Sequence, residues 1–280
     1  MAELKAAPDI RLESLTVGYN DVPVVRDINV TLPGGKISLI LGGSGCGKST
    51  LLKHILRLHP AITGRIFIGD HDICGLSKKD FRCIKQGLGV LFQDGALLGS
   101  MTLGDNVALP LREHTRLDEG AVARIVRSKL ALVGLEDFAG YYPNELSGGM
   151  RKRGGLARAM VMDPAILLCD EPTSGLDPIN SADLDQLLLD HQALFNMTIV
   201  VVSHDLASTW AIADYVVVLG EGRVLFQGGV EELKATSDPY LRRFLDRKAQ
   251  GGSGERLESG EIDRAVMKVD CSRYWSSLRK

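Results

Sequence analysis

An apolar run, ISLIL, leads without a break into GGSGCGKST at residues 42–50, and no other stretch limits the fold so tightly. Gly42, Gly47, Lys48 and Ser49 occupy the fixed positions of the pattern G-x-x-x-x-G-K-[ST]. The spacing has a physical reason. A glycine-rich segment running Gly42, Gly43, Ser44, Gly45, Cys46, Gly47 lets successive backbone N–H groups turn inward around an anion. A helix starting at the end of that segment adds its positive terminus. Lys48 then reaches the outer phosphates of a nucleotide as a point charge, and the Ser49 hydroxyl is the expected Mg²⁺ ligand. The motif therefore demands a buried strand, a tight loop and a helix, in that order.

The rest of the chain supplies partners for such a unit. Residues 10–40 read as strands broken by turns, with PGG at 33–35 as one turn. LLKHILRL reads as a helix ending at or near Pro60, GRIFIGDHDI at 64–73 as a hairpin and GLGVLFQ at 87–93 as a short buried strand. From about residue 96 to 160 the texture turns helical, through LGDNVALPLRE, DEGAVARIVRSKLALVGL and MRKRGGLARAMVMD. Strand texture returns in AILLCDE, MTIVVVSHD and YVVVLGEGRVLFQGG, with a helix over roughly 179–193 between the first two. Strands alternating with helices predict a parallel α/β core. Two short amphipathic helices, VEELKA and PYLRRFLDRK, precede a Gly/Ser-rich linker and a final basic segment with a Tyr and a Trp. Residues 241–280 hold ten Lys or Arg against six Asp or Glu, a balance suited to docking on a partner or an anionic lipid surface.

Adjacent carboxylates close the apolar run AILLCDE, at Asp170 and Glu171. Charge at the end of a buried strand is costly unless it faces a site, and ligands of α/β sheets sit at the carboxyl ends of strands. Asp170 is placed to hold Mg²⁺ and Glu171, one residue on, to orient an attacking water at the γ-phosphate. His204 ends TIVVVSH in the same manner and is placed to contact that phosphate. The other histidines, His54, His59, His71, His114 and His191, have no comparable context and read as surface or helix residues.

Composition excludes several classes. The net charge of −2 gives no clustered basic field for nucleic acid. The five cysteines, with no Cys-x-x-Cys, point to a reducing compartment without structural zinc. The amino terminus lacks the apolar core of a secretory signal, and no apolar run approaches 18 residues, so the chain is not expected to span a membrane.

LSGGM at 146–150, followed by ARA, is similar to the signature of ATP-binding cassette (ABC) ATPases, and the order of elements is that family's as well. The resemblance covers about residues 10–245 and implies an α/β P-loop fold of the ABC type, with an antiparallel β subdomain, a helical insert at about 96–160, and a C-terminal extension over 246–280. It implies ATP and Mg²⁺ as the ligands. Tyr19 matches the aromatic that stacks on adenine, Gly42 to Thr50 the phosphate loop, and Gln93 the glutamine that touches Mg²⁺ and couples to the transport subunit. Ser147, Gly148 and Gly149 match the signature that closes on ATP held by a second copy of the chain. Asp170 and Glu171 match the Mg²⁺ carboxylate and catalytic base, Asp177 the loop crossing the dimer interface, and His204 the switch histidine. The implied setting is a separate membrane permease, at the cytoplasmic face of a bacterial inner membrane. The stretch after Gln93, with apolar Leu97, Leu98 and Met101, matches the permease-docking surface.

Local cues in YYPNELSGGMRKRGGLARA and GALLGSMTLGDNVALPLRE resemble most the ATPases of bacterial lipid-asymmetry transporters. That resemblance implies phospholipid cargo, a periplasmic lipid-binding subunit and a small cytoplasmic regulatory subunit. An importer ATPase for another small solute is the alternative. Gly154 and Gly155 depart from the pattern. A Gly pair inside a helix costs about 1–2 kcal/mol against alanines, and it either loosens the helix or admits a close backbone neighbour.

Overall fold

The structure is a computed structural model that describes residues 7–246. The C-terminal linker and basic segment expected beyond residue 246 lie outside the described residues. Two compact units divide the chain, one extending to Thr236 and the other beginning at Ser237. Within the second, α9 (Pro239–Leu245) starts with Asp238 accepting from the N–H groups of Tyr240 and Leu241.

A six-stranded sheet organises the first unit, in the order β10 (Arg223–Gly229), β9 (Tyr215–Gly220), β3 (Ile37–Gly42), β8 (Thr198–Ser203), β7 (Ile166–Asp170), β6 (Leu88–Leu91). From β9 to β6 the strands run parallel, and β10 is antiparallel to β9. All residues of β3 and β8 are buried, as are the first four of β7. Strands covered on both faces read as continuous apolar runs rather than alternations, which is why these segments were legible as core strands.

Four strands form a second, antiparallel sheet, ordered β2 (Val22–Leu32), β1 (Ile10–Tyr19), β4 (Thr63–Ile68), β5 (His71–Asp72). Helix α1 (Lys48–Ile55) packs against β1 as well as β3, β7 and β8, and so ties the two sheets into one core. It ends at Leu56, four residues before Pro60, because Arg57 adopts a left-handed φ of 52° and turns the chain away.

Between β6 and β7 lies the helical subdomain, α3 (Leu103–His114), α4 (Glu119–Ala131) and α5 (Gly148–Ala159), which pack on one another. Each begins at a side-chain cap: Thr102, Asp118 and Ser147. Helix α6 (Pro178–Phe195) follows β7, and α7 (Leu206–Ile212) follows β8. Two helices had no place in the sequence reading, α7 and α2 (Lys78–Gln86). The start of α2 was readable, since Ser77 accepts from the Asp80 N–H and donates to its carboxylate, a capping pair three residues apart. The last element of the unit is α8 (Val230–Ala235). Among the described residues, no helix is long and apolar enough to cross a membrane.

The Gly pair in α5 has a packing reason. A Cβ on Gly155 would stand 2.7 Å from the Gly95 Cα and 2.8 Å from its carbonyl oxygen. The helix there lies directly against the backbone of the loop after β6, and only a residue without a side chain admits that approach.

Candidate functional site

The site is assembled at the carboxyl ends of β3, β8 and β7. Gly42 ends β3, and the loop reaches α1 through Gly45 and Gly47, whose φ values of 77° and 103° no side chain adopts without strain. A Cβ on Gly43 or Gly45 would meet nothing within 4 Å, so that side of the loop is open to a ligand. Under Gly42, by contrast, the Cys46 Sγ is so close that a Cβ would overlap it at 2.4 Å. Lys48 is 7% exposed, and its ammonium donates to the carbonyls of Gly42 (2.9 Å) and Gly43 (3.1 Å). It is thus held inside the curve of the loop, where phosphate oxygens would lie.

β8 separates β7 from β3, so the two carboxylates sit one strand away from the loop. Ser49 bridges the gap, its Oγ donating to Asp170 Oδ1 at 2.8 Å. A hydroxyl paired with a carboxylate is the hard-oxygen donor set that suits Mg²⁺, which takes one or two protein ligands and completes its shell with water and phosphate oxygens. When bound there, Mg²⁺ supplies charge neutralisation of the phosphates.

Glu171 leaves β7 in the left-handed region, at φ 50°, with its N–H on the Val202 carbonyl at 2.8 Å. A non-glycine residue held there is strained by about 1–2 kcal/mol and persists only where its surroundings enforce it. The turn aims the carboxylate between an ammonium and an imidazole. Oε1 lies 3.7 Å from Lys48 Nζ, and Oε2 lies 2.7 Å from His204 Nδ1. His204 itself is largely exposed, so β8 delivers it to the mouth of the site rather than to its floor. A carboxylate fixed at both oxygens is oriented, and so can present a lone pair to a water molecule.

Tyr19 sits at the far end of the loop. Its hydroxyl is 3.4 Å from Thr50 Oγ1, its ring is partly exposed, and the edges of His59 and His54 meet it at centroid distances of 5.0 and 6.3 Å. His54 is buried in α1, its Nδ1 bonded to the Thr50 carbonyl, and His191 is buried in α6. Both are helix residues, but neither is at the surface.

The other sequence candidates lie apart from this cluster. Among the described residues, no hydrogen bond or ion pair joins Ser147, Gly148 or Gly149 to the phosphate loop. Ser147 caps α5 by accepting from the Met150 N–H at 3.2 Å, and it and Gly148 are exposed. Asp177 caps α6, taking the N–H groups of Ile179 and Asn180. Hydrogen bonds from Asn180 hold its carboxyl below the usual carboxylate range. Asn180 in turn lies beside Gly149, 3.2 Å from where a Cβ would stand, which sets the starts of α5 and α6 side by side. Gln93 is exposed just beyond β6. Of the apolar residues that follow, Leu98 is 44% exposed while Leu97 and Met101 are half-buried.

Three residues to which the sequence reading gave no positioning role hold these parts together. Asn106 is fully buried in α3. Its side chain accepts from the Leu98 N–H at 2.7 Å and donates to the carbonyls of Leu98, Met101 and Thr102, pinning the loop after Gln93. Arg158, near the end of α5, donates to the carbonyls of Ala96 (2.8 Å) and Gly95 (2.9 Å). Lys152, also in α5, donates to the carbonyls of Ser174 and Glu171. Burial pulls its ammonium below the ordinary lysine range, against the opposing charges of Asp94 and Glu171. The helix that begins at the signature is thereby fastened both to the loop after Gln93 and to the turn after Glu171.

Comparison with known proteins places this geometry. The family model for ABC transporters matches residues 25–174. The chain is 43% identical over 256 residues to the probable ribonucleotide transport ATP-binding protein mkl of Mycobacterium tuberculosis, covering 91% of this chain and 71% of that one. It is 39% identical over 253 residues to the intermembrane phospholipid transport system ATP-binding protein MlaF of Escherichia coli K12, covering 90% and 93%. Among solved structures, the ATP-binding cassette MJ0796 in a dimeric post-hydrolysis state with ADP and Pi superposes with a TM-score of 0.73 at 29% identity, over 79% of this chain and 98% of that one. CbiO1 of Clostridium perfringens, part of the cbiONQ transporter complex, superposes with a TM-score of 0.75 at 30% identity, over 84% and 94%. This chain belongs to the ABC transporter family, as an ATP-binding and ATP-hydrolysing P-loop ATPase.

Proposed function

We propose that this chain is the motor of a membrane transporter and hydrolyses ATP between two copies of itself, at the cytoplasmic face of a bacterial inner membrane. In this reading Asp170, Ser49 and Gln93 hold Mg²⁺, Glu171 orients the attacking water, His204 steadies Glu171 and the γ-phosphate, and Tyr19 stacks on adenine. Ser147, Gly148 and Gly149 of one copy close on the nucleotide of the other, with Asp177 crossing between them. The observation that carries the reading is Glu171, strained at φ 50° and held at both oxygens by Lys48 and His204. A dimer is favoured because the start of α5 is exposed and makes no hydrogen bond to its own phosphate loop, while MJ0796, its structural neighbour, is dimeric. A helix N-terminus rich in glycine is an anion site that needs a phosphate brought to it. A permease segment would dock in the cavity of about 570 Å³ bounded by Phe92, Pro110, Glu113 and Arg158, next to the loop after Gln93.

Two cargo classes remain in play. The higher identity to mkl, 43%, puts a small solute such as a ribonucleotide first. Intermembrane phospholipid is the second reading, favoured by a match over 93% of MlaF and by the local sequence cues around the signature. The phospholipid reading adds a periplasmic lipid-binding subunit and a small cytoplasmic regulatory subunit as partners. Purification of the chain from membranes with its bound partners, followed by mass spectrometry of protein and lipid, separates the two. A lipid-binding partner with copurifying phospholipid supports the second reading, a soluble solute-binding protein the first, and the absence of any permease rejects the transport reading.

A further inference from the structure

Helix α5 reaches the turn that carries Glu171 through one side chain. Lys152 is 5% exposed and sits about one and a half turns, roughly 7.5 Å, into the helix from its Ser147 cap. Its ammonium donates to the Ser174 carbonyl at 2.5 Å and to the Glu171 carbonyl at 3.4 Å. Those two residues are the ends of a tight turn, which the Ser174 N–H closes on the same Glu171 carbonyl at 3.2 Å. Lys152 therefore clips both ends of the turn 171–174. A buried cation is costly unless something holds its charge. Among the described residues no ion pair joins Lys152 to a carboxylate, so the two carbonyls do that work, through charge-assisted bonds stronger than neutral ones. The base of the side chain is fixed as well. A Cβ on Gly95 would stand 2.6 Å from the Arg151 carbonyl oxygen and 3.6 Å from the Lys152 Cα, so the loop after Gln93 lies against this same stretch of α5.

We propose that Lys152 is a positioning residue for Glu171, holding its turn from α5 so that the signature helix and the carboxylate that orients the attacking water are aligned together. Lys48 and His204 fix that carboxylate at its two oxygens, 3.7 and 2.7 Å away, and Lys152 fixes the same residue at its backbone. The backbone needs such a hold. Glu171 stands at a left-handed φ of 50°, and a non-glycine residue stays there only where its surroundings enforce it. On the strand side its N–H is held by the Val202 carbonyl at 2.8 Å; on the far side the clip from Lys152 is what prevents the turn from relaxing. A relaxed turn would swing the carboxylate away from Lys48 and His204. The phosphate loop and Tyr19 make no hydrogen bond to Lys152, so the residue acts on turnover and leaves nucleotide affinity alone.

The proposal rests on Glu171 orienting the attacking water, and the test separates the two. ATPase kcat and KM of the full-length chain, with any copurifying membrane partners, are measured for the wild type, Lys152→Met, Lys152→Gln and Lys152→Arg. Methionine keeps an unbranched stem and removes every donor, glutamine keeps a neutral amide donor, and arginine keeps both charge and donors. Lys152→Met should lower kcat at least about tenfold, because a small misplacement at the reacting centre is expensive, while KM for ATP changes less than about twofold. Lys152→Arg should recover most of that loss and Lys152→Gln part of it. If Lys152→Met fails to fold, the order of Arg above Gln in kcat, at constant KM, carries the test. A wild-type kcat in Lys152→Met, a rise in KM as large as the fall in kcat, or a loss that neither Arg nor Gln relieves overturns the positioning role. Glu171→Gln is the separate check. Turnover lost there but kept in Lys152→Met removes the role of Lys152 alone, and turnover retained there removes the hydrolytic role of Glu171 and this inference with it.

Discussion

Adjacent glycines in α5 make a paired experiment with opposite expectations. Both Gly154 and Gly155 are buried in the helix. Replacing either with Ala gains about 1 kcal/mol of helix propensity. At Gly155 the new methyl would stand 2.7 Å from the Gly95 Cα and 2.8 Å from its carbonyl oxygen, against a contact distance of about 3.5–4.0 Å. The helix or the loop must move by about 0.7 Å or more, and overpacking a close-packed region costs about 1–3 kcal/mol. At Gly154 the methyl meets the Leu103 Cδ1 at 2.5 Å, the end of a side chain that can rotate aside. Gly154→Ala should therefore leave stability near the wild-type value, and Gly155→Ala should lose about 1 kcal/mol net. For a chain of this size each kcal/mol is about 2–4 °C, so Gly155→Ala should melt a few degrees below Gly154→Ala by circular dichroism. The loop displaced at Gly95 is two residues from Gln93 and is tied back by the Gly95 N–H to Phe92 carbonyl bond at 2.8 Å. ATPase turnover should fall in Gly155→Ala more than in its neighbour. Equal melting points and equal turnover for the two variants would refute the reasoning, since it rests on backbone at Gly155 yielding less than the side chain at Gly154.

Other expectations are shorter. Glu171→Gln should retain ATP binding by calorimetry and lower turnover by about 10²–10⁴, the usual contribution of a positioned base. Arg158→Lys should loosen the loop at Gly95 and Ala96, because one ammonium cannot reproduce two forked contacts, with faster proteolysis of that loop as the readout. Stability should depend on pH through Asp185, whose folded-state value of about 6 stands above its ordinary 3.8. The folded chain then binds more protons than the unfolded one between those limits, so stability falls as pH rises through that window. Asp185→Asn should accordingly match the wild type near about pH 4 and exceed it by up to about 2–3 kcal/mol at about pH 7.5, measured by urea denaturation.

The candidate cluster was legible because its members sit at strand ends or just past the glycine loop that follows one. Asp170, Glu171 and His204 close apolar runs, Lys48 and Ser49 follow the run ISLIL across the glycine loop, and parallel strands deliver their carboxyl ends to a common edge. Their identity and approximate place follow from local order alone. The same holds for the caps at Ser147 and Asp177, whose bonds reach no further than three residues. Other facts needed distant segments to meet. That β8 lies between β3 and β7 depends on strand order, which no spacing along the chain encodes.

The Gly pair at 154 and 155 gave two readings as text, and the contact with Gly95, from a distant part of the chain, decides for close packing. Asn106, Arg158 and Lys152 are ordinary helix residues until their partners arrive from other elements. The amino-acid sequence by itself thus determined the chemistry of the loop and the strand ends, since those depend on neighbours along the chain. Tertiary structure alone decided how the signature helix is fastened to the loop after Gln93 and to the turn after Glu171, because those bonds join α5 to segments distant along the chain.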